Sequence, residues 1–414
     1  MTSHQKRVAY IARDIERALG MIPNANYRII ANQTPYAQSI KDRYPEYVTL
    51  INDVSEPQDT LADTASLLGY DETRKALQRA QIEDVIVFKN TSQIEKIISA
   101  NGWKLLNPPY ELAEKIENKI TQVEWLGSAA QAYLPLHRIT DGQGLEWHGS
   151  PFILQWAHGH TGDGTLLVRS TAEMELIKKK FPDRPARVSA YVHGPSFTVN
   201  AVVTPDKTLM GNINYQITGM KPFTDNTFST VGNDWGLTHS LLSESEVHSI
   251  QAMVGVIGLR LNQDGWRGLF GIDFIRDERL GRIFLIEINA RQPAGSVFES
   301  HLQEIHRHHG THGLTVAEAH VRALSGEIVD QPLIQISDGA QIIQRLTANT
   351  KTISPDSTNA LTDAGYSTIA YSNTTPNSDL LRIQSNHGIM QGHNVFNKRG
   401  EEIVQILERK THSS

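Results

Sequence analysis

The densest run of chemistry-bearing side chains lies at 269–291, where two apolar, β-rich stretches flank a turn at 277–281 and so read as a hairpin. Side chains alternate across a strand, so Phe284, Ile286 and Ile288 should share the core face. Glu287 and Asn289 then share the other face, ~6–7 Å apart along the strand. Asp273, out of phase with Ile272 and Phe274, can point the same way. Two carboxylates and an amide oxygen on one sheet face are hard ligands suited to Mg²⁺, which takes one or two carboxylates and completes its shell with phosphate oxygens and water. Arg291 adds a planar donor for phosphate or carboxylate. The same residues also read as a surface hairpin whose acids pair with arginines. The long apolar runs on both sides argue for partial burial, and partly buried acids need a partner.

A second candidate is the run from His158 to Thr165, with Gly159, Gly162 and Gly164, between stretches that read as strands at 151–155 and 165–168. Glycines let backbone N–H groups turn towards phosphate oxygens. No Gly-Lys-Ser/Thr closes the run, so it is not a Walker loop, and an ordinary hairpin turn reads equally well. His301, His306, His308, His309 and His312 crowd together, as a metal tract or as a solvated turn. The register is wrong for two histidines and a glutamate on one metal.

The elements that must position these residues follow from apolar spacing and breakers. Up to about residue 110, short apolar runs at 27–31, 47–51, 85–88 and 103–106 alternate with helical spacing at 60–77 and 94–99, the pattern of an α/β layer. No G-x-G-x-x-G follows any of these strands, so a dinucleotide site is not supported. The Asn-Pro-Pro at 107–109 breaks the chain before a helix expected at 111–126. Further helices are expected at 171–180 and 243–259, with strands at 187–192 and 197–203. The Asn/Thr/Gly/Asp-rich stretch 215–237 reads as a long loop. Thr315 and Glu318 form a capping box, and Pro332 marks a boundary to a last mixed segment. The expected class is α/β and α+β, divided at 1–110, 111–186, 187–330 and 331–414.

Composition narrows the chemistry. The chain has 414 residues, 39 Lys plus Arg against 45 Asp plus Glu, a formal charge of -6 and no cysteine. Thiol nucleophiles, Cys-ligated zinc, iron–sulfur clusters and disulfides are excluded. No basic block suggests nucleic acid or a polybasic anchor, and no apolar run is long enough for a bilayer. The polar start resembles no signal peptide, so a soluble, cytoplasmic protein is expected.

Together these pieces resemble the ATP-grasp superfamily of carboxylate–amine ligases, in a biotin-carboxylase-like arrangement. The resemblance rests on Asn118-Lys119 after the Asn-Pro break, Gln155 before the glycine loop and a β-rich hinge at Ala190, Tyr191 and Val192. The Asp273…Glu287-Ile-Asn289-Ala-Arg291 hairpin is its most specific part. It implies a pre-ATP-grasp α/β domain at 1–110, a two-subdomain grasp core with the glycine loop in 111–186 and the metal hairpin in 187–330, and a lid-like 331–414.

On this resemblance ATP lies between the subdomains. Lys119, Gln155, Gly159, Gly162, Gly164 and Thr165 meet its phosphates, and backbone at 190–192 holds the adenine. Asp273, Glu287 and Asn289 take one or two Mg²⁺, and Arg291 and Lys119 steady the transferred phosphoryl group. Gln155 stands where the family usually has lysine. The implied reaction is ADP-forming: a carboxylate, on an amino acid or small peptide, joins an amine through an acyl phosphate. The alternatives are a biotin-carboxylase-like carboxylase and a nucleotide-binding regulatory protein whose catalysis has lapsed. Tyr215, Gln216, Lys221, Gly295, Ser296 and Arg345 are the substrate-side candidates, although Arg345 reads more simply as exposed on a core strand. Small-molecule partners are expected, with no nucleic acid or membrane. A homodimer fits the family, though no interface is legible.

Overall fold

The structure, a computed structural model, describes residues 6–52, 61–157 and 164–408. The chain begins with a parallel five-stranded sheet: β1 (Val8–Ala12), β2 (Tyr27–Asn32), β3 (Val48–Ile51), β4 (Asp84–Val87) and β5 (Lys104–Leu105), in the order β3-β2-β1-β4-β5. The central strand β1 has no counterpart in the sequence reading. All five of its residues are buried. A strand covered on both faces carries an unbroken apolar run rather than an alternating one, which leaves no period to detect. The helix expected at 60–77 is two helices, Thr64–Gly69 and Asp71–Ala80, and residue 60 lies outside the described residues. Asp63 caps the first by accepting the Ser66 N–H at 2.8 Å.

The helix expected at 111–126 is likewise divided, into Tyr110–Glu117 and Thr121–Gln131. At the junction Asn118 is extended, its side chain accepts the Ile120 N–H at 3.0 Å, and the Lys119 N–H donates to the Ala157 carbonyl at 3.0 Å. Lys119 therefore sits at a break between helices rather than within one. Next comes an antiparallel sheet of β6 (His137–Thr140), β7 (Phe152–Trp156), β8 (Thr165–Val168) and β9 (Ala186–Ala190), ordered β6-β9-β7-β8.

The third sheet carries most of the site. It contains β10 (Ser196–Val203), β11 (Thr208–Thr218), β12 (Thr230–Asp234), β13 (Gly268–Arg276), β14 (Ile283–Asn289), β15 (Ala340–Arg345), β16 (Ser367–Ala370) and β17 (Asp379–Ser385). Their order is β14-β13-β10-β11-β12-β15-β17-β16, with every pairing antiparallel. The loop expected at 215–237 is loop over 219–229, but 215–218 belong to β11 and 230–234 to β12. Its polar residues, Gln216, Thr218 and Asn233, line a cavity, while Tyr215 and Ile217 on the alternate positions are fully buried in the core. A polar half-face turned to a cavity looks, in sequence, like a loop.

The last segment shares this sheet, because β15 pairs with β12. A Cβ on Gly232 would lie 2.3 Å from the Gln341 carbonyl oxygen, so only glycine permits that approach. Behind the sheet, helix Glu244–Gln263 starts at a Ser243/Glu246 capping box and buries Ile250, Met253, Ile257 and Leu261 in one core with Phe270, Ile272 and Phe274. Among the described residues no helix is long and apolar enough to cross a membrane.

Candidate functional site

A cavity of about 1140 Å³ opens between the antiparallel sheet β6–β9, the polar face of the eight-stranded sheet, and the first domain. From that domain come Arg17, Phe88 and Lys89, just past the carboxyl ends of β1 and β4. Crevices at those ends are where open parallel sheets bind ligands.

The β13–β14 hairpin forms one wall. Asp273 and Glu287 are directly opposed across the ladder, with Gly271 opposite Asn289. The pairing slips between Asp273 and Phe274: Phe274 opposes Leu285, so Ile286 is the extra residue of a bulge. This corrects the expected alternation. Leu285 is buried in the core, and Ile286 lines the cavity beside Glu287. Thr198 donates its hydroxyl to Asp273 Oδ1, and the Asn289 amide donates to Oδ2 at 3.1 Å. Burial and the neighbouring Glu287 charge push the Asp273 carboxyl up to about 6.

Three cations surround this wall. Lys119 Nζ lies 2.5 Å from Glu287 Oε1. Arg291 pairs with Glu117, which also accepts from Lys89 at 2.7 Å. Burial would raise the Glu117 carboxyl, but Arg291 and Lys89 outweigh it and hold it below its ordinary value. The third is Arg187, which the sequence reading did not single out. It sits opposite Gln155 in the β7–β9 ladder and donates Nε and Nη2 to Gln155 Oε1 at 3.1 and 2.6 Å. Nη2 also reaches the carbonyl of the bulged Ile286 at 2.8 Å. Burial lowers this guanidinium to about 10, against the pull of Glu287. A full positive charge therefore stands one strand away from the position where the family usually has lysine. The signal was an arginine in an apolar strand, legible only with the β7–β9 register known.

The other candidates separate. Gly164, Thr165, Ala190, Tyr191, Val192, Gln216 and Gly295 line the cavity, whereas Gly159 and Gly162 lie outside the described residues. Tyr215 is fully buried in the core, its hydroxyl 3.0 Å from His393 Nδ1. Lys221 is exposed and pairs with Asp225 at 3.0 Å. Ser296 is buried and donates to the Pro293 carbonyl at 2.8 Å. Arg345 is buried and lines the cavity, not exposed as one reading had it. In the histidine tract, His301 Nε2 lies 2.7 Å from the Leu19 carbonyl oxygen, and His308, His309 and His312 are exposed.

Among the described residues no group of three or more His, Cys, Asp or Glu could hold a metal ion. Two carboxylates and an amide oxygen are a different kind of site. Asp273 and Glu287 repel one another across a buried strip, and that repulsion falls when a divalent cation lies between hard oxygens and the rest of its shell is water and phosphate. The residues present fit Mg²⁺ carried with a nucleotide triphosphate.

Residues 116–295 match the family model of the ATP-grasp domain. The whole chain is similar in structure to N5-carboxyaminoimidazole synthetase from Staphylococcus aureus, at 11% identity and TM-score 0.63, covering 97% of each chain. It is also similar to L-amino acid ligase from Bacillus licheniformis, at 14% identity and TM-score 0.61, covering 98% of each. A third likeness is N5-carboxyaminoimidazole synthase from Aspergillus clavatus in complex with ADP and 5-aminoimidazole ribonucleotide. It shows 14% identity and TM-score 0.62, covering 98% of this chain and 99% of that one. No curated protein matches the sequence. Residues 116–295 thus match the ATP-grasp domain model, and over nearly its whole length the chain shares the fold of these structures. ATP-grasp enzymes use ATP with Mg²⁺.

Proposed function

We propose that the chain is an ADP-forming ligase that activates a carboxylate as an acyl phosphate and transfers the acyl group to an amine. The observation that carries this reading is the convergence of Asp273, Glu287, Asn289, Lys119 and Arg291 on one cavity. Mg²⁺ held by Asp273, Glu287 and Asn289 would neutralise charge on the β- and γ-phosphates. Lys119, anchored by Glu287, and Arg187, anchored by Gln155, face the phosphates with positive charge already in place. Arg291, oriented by Glu117, is placed for the transferred phosphoryl group and for the oxyanion formed when the amine attacks. Preorganised charge of this kind needs no reorganisation as the reaction proceeds. No side-chain nucleophile is required, in keeping with a chain that has no cysteine. The backbone of 190–192 lies at the cavity edge, where it would take the adenine. On this reading 1–110, 111–186, 187–330 and 331–414 are the pre-grasp, two grasp and lid-like units.

The test is mass spectrometry of the protein with ATP, Mg²⁺ and a mixture of amino acids and simple organic acids. ADP with a new condensed mass is the expected result, and AMP as the product would overturn the acyl-phosphate route. A parallel reaction with bicarbonate and 5-aminoimidazole ribonucleotide, the ligand of the Aspergillus clavatus neighbour, tests the carboxylating alternative.

A further inference from the structure

Arg291 stands just beyond the end of β14, on a loop gripped from two sides. On one side Pro293 lies against β13, where a Cβ on Gly271 would stand 2.8 Å from Pro293 Cγ. On the other side the Gln292 side chain turns into the first domain and is buried. The Tyr10 hydroxyl donates to Gln292 Oε1 at 2.6 Å, and Gln292 Nε2 donates to the Arg17 carbonyl at 2.8 Å. Both ends of this amide are therefore satisfied, and both partners belong to the first domain.

Those partners are themselves held. Tyr10 is the middle residue of β1 and is buried. Burial pushes its hydroxyl well above the ordinary phenol range, so it stays protonated and donates. Its ring meets Tyr27 edge-on, with centroids 6.4 Å apart. The Tyr27 hydroxyl donates to the Ala18 carbonyl at 2.7 Å, and His301 Nε2 lies 2.7 Å from the Leu19 carbonyl oxygen. Three successive carbonyls, of Arg17, Ala18 and Leu19, thus each meet a side chain, which fixes the seam on which Gln292 rests. The first domain also reaches the head of the same arginine. Lys89 donates to Glu117 at 2.7 Å, and Glu117 accepts from Arg291. Arg291 is tied to the first domain at its guanidinium through Glu117 and Lys89, and behind its backbone through Gln292 and Tyr10.

We infer that Tyr10 is a positioning residue for phosphoryl transfer: its hydroxyl, acting through Gln292, sets where the Arg291 guanidinium stands. This deepens the ligase reading and rests on its assignment of Arg291 to the transferred group. Neither Tyr10 nor Gln292 lines the cavity, so each acts only through the loop. The Glu117 pair alone fixes the distance to one carboxylate. The aim of the side chain into the cavity depends on the backbone behind it, and Gln292 holds that backbone. A displacement of about 1 Å in a group that meets the reacting atoms can cost about a hundredfold in rate. The hinge backbone at 190–192, Lys119 and Gln155 lie on other elements, so the grip on ADP does not pass through Tyr10.

The test uses the full chain and calorimetry of Mg·ADP with and without aluminium fluoride, an anionic mimic of the phosphoryl group in transfer. In the parent, aluminium fluoride should tighten ADP. In Tyr10→Phe the affinity for Mg·ADP alone should stay within about twofold of the parent, while the tightening falls about tenfold. Arg291→Lys should lose at least as much, since an ammonium does not replace a planar fork. Tyr10→Phe/Arg291→Lys should lose no more than Arg291→Lys alone, because the hydroxyl acts only through that guanidinium. A merely structural role would weaken ADP itself or add to the Arg291→Lys loss, and either result overturns the inference. Gln292→Ala cuts the same tie from the other side and serves if Tyr10→Phe fails to fold. Full tightening retained in these variants removes the positioning role and leaves the ligase reading standing. An ADP affinity that aluminium fluoride leaves unchanged in the parent would sink the phosphoryl-transfer reading of the site, and this inference with it.

Discussion

Asp273 and Glu287 face one another from adjacent strands, each held by a neighbour that also carries part of the site. Replacing Glu287 by Gln keeps the shape, relieves the repulsion on Asp273 and loses the Lys119 pair. These stability effects oppose one another, and a net change within about 1 kcal/mol, or ~1 °C in melting temperature, is expected. ATP turnover should fall ~100–1000-fold in Glu287→Gln, and likewise in Asn289→Ala. Parallel steady-state kinetics and thermal melts check this, and a large stability loss with turnover retained would mark the hairpin as structural. Behind the sheet Glu299 offers a separate test. It is fully buried, accepts the Asn212 N–H at 2.7 Å and the Asn200 amide at 2.5 Å, and burial pushes it up to about 7 from 4.5. A carboxyl raised in the folded state favours folding while protonated. Its contribution is complete below pH 4.5 and lost as pH rises through about 7. Glu299→Gln removes that loss, and turning the Asn200 amide brings its unpartnered oxygen onto the new donor. Above pH 8 the variant should be more stable than the parent by on the order of 3 kcal/mol, with the difference fading towards pH 5. Urea melts at both pH values read it.

The acid hairpin was legible as an element because strand period, turn residues and carboxylates all fall within one short stretch. Its bulge was not, since a single slip of register at Asp273/Phe274 leaves the residue types unchanged. The same limit hid Arg187. The charge opposite Gln155 belongs to a neighbouring strand, and pairing between strands far apart in sequence has no local signature. This pairing makes a swap informative. Gln155→Lys sets an ammonium against a buried guanidinium, and Arg187→Gln takes the cation out of the cavity. Each alone should raise the KM for ATP about tenfold. The double variant Gln155→Lys/Arg187→Gln restores one cation and one amide across the same ladder, and should lie within threefold of the parent. A double-mutant cycle on KM for ATP measures the coupling, expected at ~1–3 kcal/mol. Additive effects would show that the two positions act separately.

At the scale of the whole molecule, the apolar runs of β2, β3 and β4 and the helices capped at Ser243 and Thr315 were readable, whereas the joining of the segments into one sheet was not. Pro332 looks like a boundary because it interrupts local pattern, yet β15 pairs with β12 and the later strands extend the sheet that carries the acid hairpin. Asp234 reinforces the join by accepting the N–H groups of Ile389 and Met390 at 2.7 and 2.9 Å. Ile342, Leu361, Leu381 and Ile383 are buried in the same core as Phe270 and Ile272. A chain ending at residue 330 would leave β12 as an unpaired edge, strip those apolar side chains from the core, and remove the Gln341 donor to Asn233 and the Tyr371 donor to Glu16. Exposed edges and apolar faces associate. Such a chain should aggregate or melt without cooperativity, and it should lose Mg·ADP binding even though every residue of the acid hairpin, Lys119 and Arg291 is retained. Size-exclusion chromatography, a thermal melt and calorimetry with Mg·ADP decide it. A monomeric, cooperatively folded 1–330 chain with parental Mg·ADP affinity would mean that the last segment is a separable cover, and that the nucleotide half of the cavity needs nothing from β15 or β17.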